Sequence, residues 1–174
     1  VHTIVLASSL PDITESVFVD GWSQPGFQSK PLIELTTVGG AAGGGPGLMS
    51  NFITVRGLIL NRFVGSGIFI GPFAWTSVQG CYIGTDQAGL VAAPNGEGIR
   101  ISGGSHNLIG GSGEGAGNLI SGNNGSGITI EKKIASGTPD ITPPVQHCSG
   151  QLHRDRCDRL GSRADSEWDL HFGP

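Results

Sequence analysis

The sequence predicts an all-β fold, a right-handed single-stranded parallel β-helix, that is, a solenoid of about 23 residues per coil, and three observations carry that expectation. Its 31 glycines follow no triplet period and its ten prolines are an ordinary share, so the composition implies many tight turns and excludes a collagen-like rod. The apolar residues fall in short runs such as LIEL, GLIL and GIFI, lengths that suit strands better than helices. Third, Val55-Arg56-Gly57-Leu58-Ile59-Leu60 returns one coil later as Val78-Gln79-Gly80-Cys81-Tyr82-Ile83, both with the pattern V-x-G-x-x-φ, where φ is apolar.

Along the chain, Gly39-Gly40-Ala41-Ala42-Gly43-Gly44-Gly45-Pro46-Gly47 reads as a flexible loop bulging from one corner. A second unit, a Gly followed by alternating apolar residues, recurs as Gly67-Ile68-Phe69-Ile70, Gly98-Ile99-Arg100-Ile101 and Gly127-Ile128-Thr129-Ile130. Period-2 alternation puts the two Ile of each unit on one face and turns Phe69, Arg100 and Thr129 the other way. Asn107-Leu108-Ile109-Gly110 and Asn118-Leu119-Ile120-Ser121-Gly122-Asn123 are Asn-rich echoes. No unit of this size buries its own apolar face, but stacked coils share one core. Gly57, Gly67, Gly80, Gly98, Gly127, Asn118 and Asn123 are the structural corner residues: Gly and Asn supply positive φ, and Asn can ladder its amide to the next coil.

Asp20-Gly21-Trp22-Ser23-Gln24-Pro25-Gly26, followed by Val78-Gln79-Gly80-Cys81-Tyr82-Ile83-Gly84-Thr85-Asp86 and Asn118-Leu119-Ile120-Ser121-Gly122-Asn123, resembles bacterial right-handed parallel β-helix repeat proteins of the pectate-lyase-like superfamily, over about residues 1–131. The resemblance implies the fold and an extracellular or cell-surface location, with polysaccharide or neighbouring domains of a larger surface protein as partners. It implies an activity less directly. The chain opens at Val1 with neither an initiator Met nor a signal peptide, and reads as a mature or excised piece; it holds no apolar run of membrane-spanning length.

Residues 1–131 are therefore expected to be the β-helix repeats, and residues 132–174 a tail of another kind. Back-translated from His147 and read one nucleotide on, positions 147 to 160 permit T-V-Q-G-N-F-I-G-T-D-A-T-G-S, the repeat that starts at Val78, set close to three coils further along. The expectation is a slip of reading frame between Glu131 and His147. The alternatives are a zinc site from His147, Cys148, His153, Cys157 and His171, whose C-x4-H-x3-C spacing lacks a close CxxC pair, or a polar tail that does not repay its ordering entropy. No metal and no cofactor is expected.

The net charge of −4 argues against nucleic acid as a partner. Elimination on a uronate needs clustered carboxylates for Ca²⁺ and a basic residue to take the proton. Before residue 131 the only acids are Asp12, Glu15, Asp20, Glu34, Asp86, Glu97 and Glu114, none of them paired on one strand. Candidate ligand contacts are Trp22, which with Asp20 could face a sugar ring or cover the end of the core; Asp86, at a corner where a carboxylate also closes a turn; and Arg100. Arg56, Arg62 and Arg100 share an ordinary role as solvated outward residues, His106 reads as a turn residue, and Cys81 as a small buried apolar one. The Asn124-Gly125-Ser126 triplet matches a glycosylation acceptor. The preferred expectation is a non-catalytic β-helix module, a structural spacer or carbohydrate-binding surface. The alternative is a polysaccharide lyase or glycoside hydrolase fragment lacking its catalytic coils.

Overall fold

The computed structural model describes residues 1–131 and the backbone of residues 146–148. Among the described residues the fold is all-β, and the one helical element is a single 3-10 turn, Gly21–Ser23. The described residues hold fourteen strands in three sheets in which every strand pairing is parallel. The first sheet orders β1 (His2–Leu6), β3 (Ile33–Thr37), β6 (Leu58–Asn61), β9 (Tyr82–Ile83) and β12 (Leu119–Ile120). The second runs β4 (Gly47–Leu48), β7 (Ser66–Ile70), β10 (Glu97–Ser102) and β13 (Ile128–Glu131). The third runs β2 (Phe18–Asp20), β5 (Thr54–Arg56), β8 (Ser77–Gln79), β11 (Asn107–Ile109) and β14 (Gln146–Cys148). From β3 onward the chain visits the first, second and third sheets in strict rotation, and every strand pairing except that of β1 with β3 joins strands three places apart. Among the described residues no helix is long and apolar enough to cross a membrane.

The register repeats the alternation of the sequence. Ile68 pairs with Ile99 and Ile99 with Ile128; Ile70 pairs with Ile101 and Ile101 with Ile130. Of these, Ile68, Ile70, Ile99 and Ile101 are fully buried, with Leu48, Leu60, Val78 and Ile83 in the same cluster. Phe69, Arg100 and Thr129 form the half-buried column on the other face, as the pattern requires. Isoleucine suits these positions because its branched Cβ packs on a pleated surface and each column buries apolar area against its neighbours.

Three expectations need correcting. The expected spacing of 23 residues separates the paired Val55 and Val78, but the next paired step, from Val78 to Ile109, is longer, because loops are inserted between the strands. Position 148 is thus two rungs beyond Val78, not three coils of equal length. Secondly, among the corner residues only Gly57 and Gly80 have positive φ, at 69° and 57°. Gly67 and Gly98 are glycine because backbones approach closely: a Cβ on Gly67 would lie 2.7 Å from Ile83 Cγ2 and 2.8 Å from Asn95 Nδ2, and one on Gly98 would overlap the Gly127 carbonyl. Asn118 and Asn123 act through their amides, not through φ. Asn118 Oδ1 accepts from the Cys81 N–H at 2.9 Å while its Nδ2 donates to the Val78 carbonyl at 2.8 Å. Asn123 Oδ1 accepts from Asn95 Nδ2 at 3.1 Å, an amide rung between successive connections. Thirdly, the glycine-rich segment packs down: Ala42 is fully buried, its N–H donates to Thr37 Oγ1 at 3.1 Å, and the Gly45 N–H donates to the Ser66 carbonyl at 2.9 Å.

Candidate functional site

At the corners before three successive strands of the third sheet, β5, β8 and β11, the chain turns through a residue in the left-handed region that is not glycine. These residues are Phe52 (φ 56°), Trp75 (φ 63°) and His106 (φ 55°). Their backbones are tied in sequence, the Phe52 N–H donating to the Ala74 carbonyl and the Trp75 N–H to the Ser105 carbonyl, both at 3.2 Å. Asn51 Oδ1 accepts from the Ala74 N–H at 2.8 Å and fixes the corner between the first two. The left-handed backbone throws the side chains outward, and the rung spacing of parallel strands stacks them. Phe52 and Trp75 have ring centres 6.4 Å apart at 13°, and Trp75 and His106 are 4.4 Å apart at 15°. Phe52 and Trp75 remain 64% and 54% exposed. His106 Nδ1 lies 3.0 Å from Ser105 Oγ, which adds hydrogen-bonding groups to one end of the column.

His106 is a turn residue, as expected; the column it completes was missed. Its signal was present, since Phe52 and Trp75 occupy the same phase of the repeat, each at the same remove before the inward Val55 or Val78. Nothing local told that the rings point outward.

The sequence-predicted contacts lie elsewhere and are not brought together. Trp22 is half-buried in a cluster where Arg56 binds Asp20 by two hydrogen bonds, at 2.7 and 2.9 Å. The Arg56 guanidinium lies 4.4 Å from the Trp22 ring centre and 4.5 Å from that of Phe18, while Phe27 stacks on Trp22 at 5.7 Å. The broad contacts of the indole are thus with its own chain. The Arg56 bonds hold the Asp20 carboxyl below the usual range and raise the guanidinium further. Arg100 is paired with Glu131 at 2.7 and 3.3 Å. Asp86 Oδ1 accepts from the N–H groups of Val91 at 3.0 Å and Leu90 at 2.9 Å, bonds that lower its pKa and close the turn.

Arg62 donates to Asn61 Oδ1 at 3.0 Å and approaches Glu34 Oε1 at 3.8 Å. Cys81 is fully buried, and burial pushes its thiol up to about 11. Among the described residues no group of three or more His, Cys, Asp and Glu could hold a metal ion. The zinc alternative, except for the backbone of His147 and Cys148, and the expected tail lie outside the described residues. No family model, curated protein or solved structure matches the chain.

Proposed function

We propose that the chain is a non-catalytic module of a right-handed parallel β-helix, similar to the bacterial repeat proteins of the pectate-lyase-like superfamily, acting outside the cell or on its surface. Its contact surface for polysaccharide is the Phe52–Trp75–His106 column. The strict rotation of strands among three sheets supports the solenoid.

The observation that carries the binding surface is three unsaturated rings in left-handed backbone, each conformation costing about 1 kcal/mol or more, held in register and turned to solvent. Packing of the core does not require rings there. A sugar has apolar C–H faces edged by hydroxyls, and the column offers an apolar strip with an imidazole and a hydroxyl at one end. Asp20, Glu34, Asp86 and Glu131 meanwhile hold structural partners.

Affinity electrophoresis through a panel of neutral and acidic polysaccharides tests this. At least one polysaccharide should retard the protein, and Trp75→Ala should weaken that binding about tenfold while leaving the fold intact. Retardation equal in the two proteins, or none with any polysaccharide, overturns the reading. Release of unsaturated uronates or new reducing ends would replace it with the lyase or hydrolase alternative.

A further inference from the structure

We infer that Asn124 is a site of covalent self-modification: the main-chain nitrogen of Gly125 attacks the Asn124 side-chain amide, which then deamidates with water to aspartate and isoaspartate, and the change loosens the pairing of β13. Two observations carry the site and a third its consequence. None of them involves the ring column or its ligand.

The first is a contrast between two copies of one dipeptide. Asn95-Gly96 and Asn124-Gly125 occupy the same corner on successive rungs: the Asn124 N–H donates to the Asn95 carbonyl at 2.9 Å and the Gly125 N–H to the Gly96 carbonyl at 2.7 Å. The Asn95 amide is fully buried and fully engaged. Its Oδ1 accepts from the Phe63 N–H at 3.0 Å, and its Nδ2 donates to the Leu60 carbonyl at 3.0 Å and to Asn123 Oδ1 at 3.1 Å. Asn123 is engaged likewise, its Nδ2 donating to the Ile83 carbonyl at 3.1 Å. Asn124 is exposed, as are Gly125 and Ser126. Of the two dipeptides, only this one is open to the water that the reaction consumes.

The second is that packing dictates the glycine. A Cβ on Gly125 would lie 2.7 Å from the Gly96 carbonyl oxygen, and one on Gly96 would overlap the Val64 carbonyl. Stacking of these corners therefore demands glycine after the asparagine. Glycine is also the residue whose nitrogen is least hindered and whose backbone is freest to bring that nitrogen to the side-chain Cγ. The bond from the Gly125 N–H to the Gly96 carbonyl must open first, and an exposed corner opens locally without unfolding the stack. Attack then joins the Gly125 nitrogen to Asn124 Cγ and breaks the bond from Cγ to Nδ2. Nδ2 leaves as ammonia, taking the proton lost by the Gly125 nitrogen, and a succinimide ring remains. Water adds to one of its two carbonyls. Opening at Cγ gives aspartate in an ordinary backbone; opening at the main-chain carbonyl gives isoaspartate, whose chain runs through Cβ.

The third observation is what stands beside the corner. Glu97 Cγ would lie 3.4 Å from a Cβ on Gly125, and Glu97 Oε2 is buried with no hydrogen-bond partner among the described residues. A carboxylate formed at Asn124 brings like charge to that neighbourhood. The extra methylene of isoaspartate also moves Gly125 off the Gly96 carbonyl. Both changes act on the connection that leads into β13 and its pairing with β10.

The test is to incubate the full chain at mildly alkaline pH, digest it, and follow each peptide by mass and by fragmentation that separates aspartate from isoaspartate. The Asn124 peptide should gain the mass of an amide turned into an acid, as both products, while Asn95 stays an amide. In denaturant the two asparagines should convert at similar rates. No conversion at Asn124 in the native protein, or conversion at Asn95 as fast as at Asn124, overturns the inference. Asn124→Gln should abolish the conversion at that position. After conversion the amides of Ile128–Glu131 should exchange about fivefold faster, as the loss of one hydrogen bond implies. Asn124→Asp, which adds the charge without the detour through Cβ, should show only part of that gain. Exchange unaltered by complete conversion overturns the effect on β13. Polysaccharide binding enters none of these readouts.

Discussion

Glu34 keeps a charge almost out of water, at 4% exposure. Burial alone would raise its pKa, but donors from Asn61 at 2.8 Å, Gln87 at 2.7 Å and Thr3 at 2.8 Å, with Arg62 beyond, outweigh it and hold the carboxyl below its ordinary value. A depressed folded-state pKa means stability that is present above the unfolded value, near 4.5, and lost as pH falls through the folded one. The melting temperature should therefore be level above about pH 5 and fall below it. Glu34→Gln, which leaves donors unmatched, should cost about 1–3 kcal/mol at pH 7 and flatten that fall. Parallel pH curves for the two proteins would remove Glu34 from the account. Backbone geometry is as exacting at Gly57, where φ is 69° and a Cβ would overlap Trp22 Cδ1. Gly57→Ala should cost about 2 kcal/mol or more, read as a lowered denaturant midpoint. At Cys81 a thiol pushed up to about 11 and shut from solvent should be alkylated only as fast as the chain opens. Labelling of the native protein at the rate of a free thiol would contradict that burial.

Between strands, the inward asparagines do what a short connection leaves undone. Asn95 gives Phe63 N–H an acceptor at 3.0 Å and donates to the Leu60 carbonyl at 3.0 Å; Asn107 accepts from the Thr76 N–H at 3.0 Å; Asn118 bridges Cys81 and Val78. Asn118→Ala orphans one buried donor and one buried acceptor, so a loss of about 2–4 kcal/mol is expected in equilibrium unfolding, with Asn118→Asp recovering only the acceptor half. A loss under about 0.5 kcal/mol would mean that water replaces the amide. Strand-level features were legible in the sequence because period-2 alternation is local: the isoleucine columns could be written down from Gly67-Ile68-Phe69-Ile70 and its echoes. Corners were not, because their conformations answer to distant neighbours. Gly98 looks like a φ-permissive corner until the Gly127 carbonyl is placed against it, and the bond from Gln87 to Thr3 joins segments far apart in the chain. The ring column fell between these cases, readable in phase but not in direction.

Across the described residues each strand inside a sheet is held by the rungs on either side and each end strand by one, and strand pairings skip no rung. Burial is consequently graded from the middle outward: Ile68, Ile70, Ile99 and Ile101 are fully buried in β7 and β10, whereas Ile4 and Val5 of the edge strand β1 are 49% and 57% exposed. A stack with nearest-neighbour coupling opens most cheaply from its ends, because removing a terminal rung breaks one interface and removing a middle rung breaks two. Native-state hydrogen exchange should therefore rank the strands. His2–Leu6 should exchange through small openings, Ile33–Thr37 through larger ones, and Leu58–Asn61 with Ser66–Ile70 only near the global unfolding free energy. Raising denaturant below the transition should merge the ranks in that order. If β1 were protected as strongly as β7, the exposed edge would have to be covered in solution, and the protein would be expected to associate through it. Protection that is uniform at every protein concentration would instead show one all-or-none unit, and the nearest-neighbour account would fail.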